Sequence, residues 1–160
     1  MSQTTSNPML QAWAERRQLF GAWANVPSPV SAEFVARQGP DYVCIDNQHG
    51  LLDHSDTIPM VTAVDAGGSG PIVRAPWNHP PRIMAALDAG AYGVIIPMVN
   101  DAAEAERAAT SCRFPPRGMR SYGPLRAKVV FGSGDPEVLD DIVCIAMVET
   151  ADGLKNLDDI

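Results

Sequence analysis

The stretch Asp41-Tyr42-Val43-Cys44-Ile45-Asp46-Asn47-Gln48-His49-Gly50 decides how the rest of the chain is interpreted. It begins as an apolar run of strand length and then changes abruptly to a carboxylate, two amides, an imidazole and a glycine. In parallel α/β proteins such a change marks the carboxyl end of a buried strand, where side chains turn towards a ligand. We therefore predict a strand that ends near Asp46 and a ligand site at its tip.

Other apolar runs end in the same way, and segments of helical pattern separate them at intervals of roughly 25 to 30 residues, which is typical of a parallel α/β fold. The other predicted strands are Leu19 to Asn25, Pro71 to Arg74, Gly93 to Val99 and Ile142 to Val148. The predicted helices are Pro8 to Gln18, a helix capped by Ser31 and running to Ala36, Asp53 to Ala66, Pro80 to Asp88, Asp101 to Ser111, Pro136 to Asp140, and one that begins at Asp152. A long loop, Arg113 to Asp135, interrupts the rhythm.

Five strand and helix units in 160 residues can be arranged in two ways. A (β/α)8 TIM barrel needs about 250 residues, so the chain would be a barrel truncated after the fifth strand and the start of the following helix. A flavodoxin-like sheet of five strands is the alternative. Because the chain stops inside a helical pattern, we favour the truncated barrel, with 1–18 as an N-terminal segment containing a short helix and 19–160 as the partial barrel.

Composition narrows the classes of partner. The formal net charge is -7 and the pI is about 4.8, and no cluster of Lys and Arg offers a surface for successive phosphates, so we expect no nucleic-acid partner. No apolar run is long enough to span a membrane, and the polar start has no signal-peptide pattern. Three cysteines without a C-x-x-C spacing indicate reduced core residues, hence a cytoplasmic protein.

Several stretches resemble, in order and spacing, the HpcH/HpaI aldolase family, the metal-dependent 2-oxo acid aldolases. The resemblance covers about residues 19–160. The matching stretches are Phe20-Gly21-Ala22-Trp23, Ile45-Asp46-Asn47-Gln48-His49-Gly50, Val73-Arg74-Ala75-Pro76-Trp77-Asn78, Ile96-Pro97-Met98-Val99, Phe114-Pro115-Pro116-Arg117-Gly118-Met119-Arg120 and Val148-Glu149-Thr150.

The resemblance implies a (β/α)8 barrel and a carbon-carbon lyase of the class II, metal-dependent type. Such an enzyme cleaves a 4-hydroxy-2-oxo acid reversibly, by a retro-aldol reaction, to pyruvate or a related 2-oxo acid and an aldehyde, through a metal-stabilised enolate. The metal would be Mg²⁺, Mn²⁺ or Co²⁺. Glu149 matches the family glutamate that binds it, and the matching aspartate would fall beyond Ile160, so the second carboxylate ligand is absent from this sequence.

Further site residues follow from the same resemblance. Arg74 matches the arginine beside the enolate oxygen, and His49 matches the histidine that transfers protons. Asp88 matches the aspartate that orients this histidine as a dyad. Asp46, which lies beside His49 at the strand tip, is also predicted to be catalytic.

Two positions depart from the common family pattern and leave the substrate open. Gln48 stands where many members have glutamate, and Met147 where the type member has glutamine. We expect both to contact substrate, together with Arg74 and Trp23.

The alternatives are an oxaloacetate-type decarboxylase of the same family, or a non-catalytic truncated paralogue that acts as a binding or assembly domain. The missing aspartate and the glutamine at position 48 favour the non-catalytic paralogue. The resemblance also implies a homo-oligomer, a hexamer in the family.

Overall fold

The computed structural model describes residues 7–160, and the start of the chain, residues 1–6, lies outside them. Five strands alternate with helices in the order that the sequence predicts. In chain order the elements are α1 Pro8–Ala14, β1 Gly21–Ala24, α2 Pro29–Ala36, β2 Tyr42–Asp46, a 3-10 turn His54–Asp56, α3 Thr57–Gly67, β3 Gly70–Arg74, α4 Pro80–Asp88, β4 Gly93–Ile96, α5 Ala102–Ser111, α6 Ala127–Val130, α7 Pro136–Leu139, β5 Val143–Ala146 and α8 Ala151–Lys155.

The strands form one parallel sheet in the order β1-β2-β3-β4-β5. Each strand therefore pairs with the next strand along the chain. A flavodoxin-like sheet would place β1 between β2 and β3, with helices on both faces. The observed order excludes that alternative and is the order of a (β/α)8 barrel through its fifth strand.

The two faces of the sheet have different roles. Residues that face the helices form the main core, which includes Val43 and Ile45 of β2 and Val73 of β3. Alternate residues, such as Cys44 and Ile72, form a second apolar cluster on the opposite, concave face. Because side chains alternate along a strand, Asp46 and Arg74 continue the concave face at the carboxyl end of the sheet.

Helix α1 covers the amino end of the concave face. Its residue Met9 is buried in the concave cluster. Asn7, the N-cap of α1, donates from Nδ2 to two carbonyl oxygens. One belongs to Tyr92, the residue before β4, and the other to Asp141, two residues before β5. The helix ends at Ala14, four residues earlier than predicted, and the chain turns at Arg16, whose φ is +57°.

Local predictions differ from the structure at the ends of elements. Helix α2 begins at Pro29 with Ser28 as its N-cap, so the prediction that Ser31 caps it is wrong. Proline at the first helical position is already set for the helix, and the Ser28 hydroxyl accepts from the Ser31 amide. Asp101, where the sequence predicts that α5 begins, is the N-cap of this helix and accepts from the Glu104 amide at 2.8 Å.

Replacing Gly93 with Ala is expected to destabilise the sheet where β4 meets β5. A Cβ atom at Gly93 would lie 2.7 Å from the Val143 carbonyl oxygen and 2.8 Å from the Val143 Cβ. Overpacking of this kind costs about 1–3 kcal/mol. Urea denaturation should show the loss in the free energy of unfolding.

Gly123→Ala is the matched control, because only the Asp88 Oδ2, at 3.9 Å, lies near its added Cβ. We expect its free energy of unfolding to be unchanged or to rise by up to about 1 kcal/mol. Equal stability of the two variants would contradict the close approach of the strands at Gly93.

Candidate active site

A buried ion pair joins the carboxyl ends of β2 and β3. Asp46 and Arg74 are register partners on the two strands. The Arg74 Nε donates to Asp46 Oδ1 at 2.8 Å, and Nη2 donates to Oδ2. The Arg74 side chain is 13% exposed and the Asp46 side chain 3% exposed. This two-pronged geometry fixes the plane of the guanidinium.

The same carboxylate holds the chain that follows β2. Asp46 Oδ1 also accepts from the backbone amides of Gln48 at 3.0 Å and His49 at 3.1 Å. Its Oδ2 accepts from the indole Nε1 of Trp23 at 3.1 Å. With five donors directed at it, Asp46 is a positioning group for its neighbours and is poorly suited to act as a free base.

The electrostatics keep this pair ionised. Burial alone would raise the pKa of Asp46, but the hydrogen bonds from Arg74, the His49 amide and Trp23 outweigh it, and the pKa lies well below its usual range. The hydrogen bond to Asp46 raises the pKa of Arg74. A permanent cation is therefore held at the tip of β3.

Trp23 holds Arg74 from a second side. The guanidinium carbon lies 5.2 Å from the centroid of the indole ring, a cation–π contact, while the indole N–H donates to Asp46. The ring remains 45% exposed. The site therefore has a partly open aromatic wall beside its cation.

Glu149 reaches the same end of the sheet from β5. Its Oε1 accepts from the Met98 amide at 2.8 Å, and the residue is exposed. The hydrogen bond to Asp46 is the main cause of the raised pKa of Arg74, and the negative charge of Glu149 adds a smaller effect in the same direction. No hydrogen bond to its Oε2 occurs within residues 7–160, so this oxygen is available to a ligand.

The left-handed backbone of Met98, with φ +57°, is a feature that sequence reasoning missed. The apolar run through Val99 predicted a strand to that residue, but β4 ends at Ile96. The chain leaves the sheet there and presents the Met98 amide to Glu149. A non-glycine residue with positive φ is uncommon and occurs preferentially at functional sites, but nothing in the sequence around Pro97 signals it.

His49 and Asp88 are not brought together within the chain. The His49 amide is anchored on Asp46, and its exposed imidazole has no hydrogen-bond partner among the described residues. Asp88 ends α4, which runs back from the carboxyl end of β3 to the amino end of β4. There it pairs with the buried Arg120 at 2.9 Å. The predicted dyad is therefore not formed in the chain, because helix direction separates its members.

The residues expected to contact substrate lie in different environments. Gln48 follows Asp46 at the strand tip, and its Oε1 is buried without a donor. Met147 packs at the end of the concave cluster, one residue beyond β5, beside Ile145. Asn47, which the sequence did not single out, donates to the Thr57 hydroxyl at 2.7 Å and also leaves its Oδ1 without a partner.

Only Glu149 among these carboxylates fits a metal ligand. Both carboxylate oxygens of Asp46 already accept hydrogen bonds, from Arg74, Trp23 and two backbone amides. The Oε2 of Glu149, by contrast, has no hydrogen bond within residues 7–160. No group of three His, Cys, Asp or Glu side chains within residues 7–160 could hold a metal ion. Hard divalent cations take several oxygen ligands, so the described residues supply one part of such a site.

The sheet order defines the class as a β/α-barrel protein, and polar residues follow β2, β3 and β5 at the end where barrel enzymes usually carry their sites. Residues 19–160 match the family model described as HpcH/HpaI aldolase/citrate lyase. The chain belongs to this family. In the part of the chain that the structure describes, no helix is long and apolar enough to cross a membrane.

Relatives of known name agree with this assignment. The chain is 42% identical over 155 residues to a hydroxypyruvate/pyruvate aldolase of Rhizorhabdus wittichii, covering 96% of the chain and 62% of the relative. It is 32% identical over 157 residues to a 5-keto-4-deoxy-D-glucarate aldolase of Escherichia coli, covering 96% and 61%. The chain thus spans about three fifths of the length of these relatives.

A solved structure gives the same result for the fold. An HpcH/HpaI aldolase/citrate lyase family protein from Burkholderia cenocepacia superposes with a TM-score of 0.86 at 28% identity, covering 96% of this chain and 64% of that one. The fold is therefore that of the family's TIM barrel over the length that this chain spans.

Asp46→Asn is expected to change how stability depends on pH. The pKa of Asp46 is lower in the folded chain than in the unfolded chain, so its ionised form stabilises the fold above the unfolded pKa, near 4. This stabilisation is lost as the pH falls below that value. The free energy of unfolding should therefore fall less steeply in the variant, by up to about 1.4 kcal/mol per pH unit.

Urea denaturation between about pH 7 and about pH 3 measures these slopes. Asp158→Asn, a change at an exposed carboxylate with no hydrogen bond in the described chain, is the control and should follow the wild type. Parallel curves for the wild type and Asp46→Asn would show that the Asp46 charge does not stabilise the fold.

Proposed function

We propose that the chain carries the 2-oxo acid part of the active site of a divalent-metal-dependent aldolase. The reaction is the reversible cleavage of a 4-hydroxy-2-oxo acid to pyruvate, or a related 2-oxo acid, and an aldehyde. The family membership and the names of the relatives support a lyase. The observation that carries the proposal is the fixed, permanently charged Arg74 at the carboxyl end of the sheet, the end at which Glu149 also lies.

Arg74 is built to stabilise developing negative charge. Its Nε and Nη2 are occupied by Asp46, and Nη1 has no hydrogen bond within residues 7–160. Nη1 is thus free to donate to the oxygen at which charge develops when the carbon-carbon bond of a 2-oxo acid breaks. Since Asp46 and Trp23 already fix the guanidinium, little reorganisation is needed during the reaction.

His49 is the proposed proton carrier. Retro-aldol cleavage requires that the hydroxyl group on C4 lose its proton and that C3 gain one. The imidazole is exposed and unpartnered in the described chain, while its backbone amide is tied to Asp46. It can therefore turn towards a substrate while its main chain stays in place, and imidazole exchanges protons near neutral pH. Asp88 has no part in this proposal, because Arg120 holds it elsewhere.

Glu149 is proposed as one ligand of Mg²⁺, Mn²⁺ or Co²⁺. Its Oε2 is free and its Oε1 is oriented by the Met98 amide, so the carboxylate presents a fixed oxygen. A divalent cation bound there would act as a Lewis acid towards the 2-oxo acid. Gln48, Met147 and Trp23 are the proposed substrate contacts, because they lie at or next to the ends of β2, β5 and β1.

The cellular location and the oligomeric state of the protein are also proposals. Cys44, Cys112 and Cys144 are all unpaired, which supports a reducing, cytoplasmic location. Val30 and Phe34 on α2 are each 62% exposed, and exposed apolar side chains on one helix support a homo-oligomer, for which the family hexamer is the proposed form.

Exchange of the pyruvate methyl protons for deuterium tests enolate formation without any knowledge of the aldehyde. We expect NMR to show exchange with the purified protein and Mg²⁺, and none after EDTA treatment. Arg74→Lys should slow exchange about 10²- to 10³-fold, since lysine cannot bind Asp46 with two prongs and also donate to substrate. Glu149→Gln should reduce exchange to the level seen with EDTA.

Glu106→Gln, at an exposed carboxylate on α5 remote from the strand tips, is the matched control and should exchange pyruvate at the wild-type rate. Circular dichroism establishes that each variant is folded. A folded wild type that does not exchange pyruvate with Mg²⁺, or a Glu149→Gln variant that exchanges it fully, would refute the proposed chemistry.

A further inference from the structure

One asparagine joins the two loops that follow β4 and β5. Asn100 lies between β4 and α5, and its side chain donates and accepts hydrogen bonds. Its Nδ2 donates to the Met98 carbonyl oxygen at 2.8 Å and to Glu104 Oε2 at 3.1 Å. Its Oδ1 accepts from the Thr150 hydroxyl. Each polar atom of this side chain therefore has a partner.

The main chain of Asn100 is also held on both sides. Its amide donates to Glu104 Oε2 at 2.8 Å, and its carbonyl oxygen accepts from Asn156 Nδ2 at 2.8 Å. Glu104 belongs to α5, whereas Thr150 and Asn156 are the residues that cap the two ends of α8. Asn100 is thus bonded to α5, to the turn at Met98 and to both ends of α8.

The two loops pack closely against each other. A Cβ atom at Gly153, in α8, would lie 2.8 Å from the Val99 carbonyl oxygen, so only glycine allows this approach. The Gly153 amide donates to the Thr150 hydroxyl at 3.0 Å, and the same hydroxyl donates to Asn100. The Val99 amide donates to the Met147 carbonyl oxygen at 3.1 Å. The loops therefore form one packed unit that Asn100 connects.

This unit surrounds the attachment of Glu149. Met98, whose carbonyl oxygen accepts from Asn100, donates its own amide to Glu149 Oε1 at 2.8 Å. Thr150 is the next residue after Glu149. Asn100 therefore holds the donor that orients the carboxylate and also the chain that carries it. Because Glu149 is exposed, its orientation depends on such hydrogen bonds more than on packing.

We propose that Asn100 is a positioning residue that orients the Glu149 carboxylate for a divalent cation, an inference that rests on the proposed function of Glu149 as a ligand. Replacing a residue that orients a metal ligand typically costs about 10- to 100-fold in metal affinity or activity. An amide suits this place, because it offers two donors for Met98 and Glu104 and an acceptor for Thr150. A carboxylate offers acceptors alone.

Asn100→Asp is the sharpest variant, since it keeps the size of the side chain and replaces the donors with an oxygen. That oxygen would face the Met98 carbonyl and the Glu104 carboxylate without a hydrogen atom between them. In metal-free protein, NMR should show that the Met98 amide exchanges its hydrogen at least about 10-fold faster in the variant, because the turn that presents it to Glu149 loosens. The Ile72 amide, in β3, reports opening of the whole sheet and is the reference.

The matched control is Gln38→Glu, which also changes an amide to a carboxylate and removes a donor to a carbonyl oxygen, that of Phe34. It is exposed and follows α2, at the opposite end of the sheet, so Met98 should exchange as in the wild type. Water proton relaxation with Mn²⁺ is the second measurement. We expect the Mn²⁺ dissociation constant to rise about 10- to 100-fold in Asn100→Asp and to stay unchanged in Gln38→Glu.

A folded Asn100→Asp variant that protects the Met98 amide as well as the wild type does would overturn the proposal, and so would an unchanged Mn²⁺ affinity. Asn100→Ala, which removes the donors without adding charge, replaces the variant if aspartate prevents folding. A wild type that binds no Mn²⁺ would contradict the role of Glu149 as a ligand. Amide exchange needs no metal, so it would still decide whether Asn100 holds Met98 against Glu149.

Discussion

The buried pair of Asp46 and Arg74 is the interaction on which the site depends. Two charges removed from water at the same sheet edge are costly unless each finds close partners, and removing one of them leaves the other uncompensated. The strand register places them side by side, so each becomes the other's partner. Trp23 completes the arrangement by contacting both. The pair thus joins β1, β2 and β3 and at the same time fixes the cation of the site.

The other half of the site depends on how the chain leaves β4. The strand stops at Ile96, and the left-handed conformation of Met98 directs an amide at Glu149. One carboxylate oxygen is thereby held and the other left open. The structure consequently contains two carboxylates with different roles: Asp46 is saturated with donors and positions the cation, while Glu149 keeps an oxygen for a ligand.

Outside the site, the loop between α5 and β5 has its own network of charges. Arg120 is buried against the ring of Phe114, with its guanidinium carbon 4.5 Å from the ring centroid, and it binds Asp88. Asp140 accepts from the Phe114 amide and from Arg117. These contacts anchor a long segment that has little regular structure. They also explain why Asp88, which motif comparison assigned to the active site, is engaged at the opposite end of the sheet.

The sequence by itself determined the order of strands and helices, the class of fold and the tips at which Asp46, Arg74 and Glu149 lie. It could do so because an apolar run that ends in polar residues is a local pattern, and parallel strands bring such ends to one edge. The ends of elements, such as Ala14, were less well determined, since caps and packing decide them.

Only the tertiary structure decided what these side chains touch. Asp46 resembled a second acid beside His49 in the sequence, but strand register makes it the partner of Arg74. Asp88 lies far along the chain from Arg120, and a loop contact joins them. Such pairings join residues that are far apart in the sequence, so a pattern of neighbouring residues does not predict them.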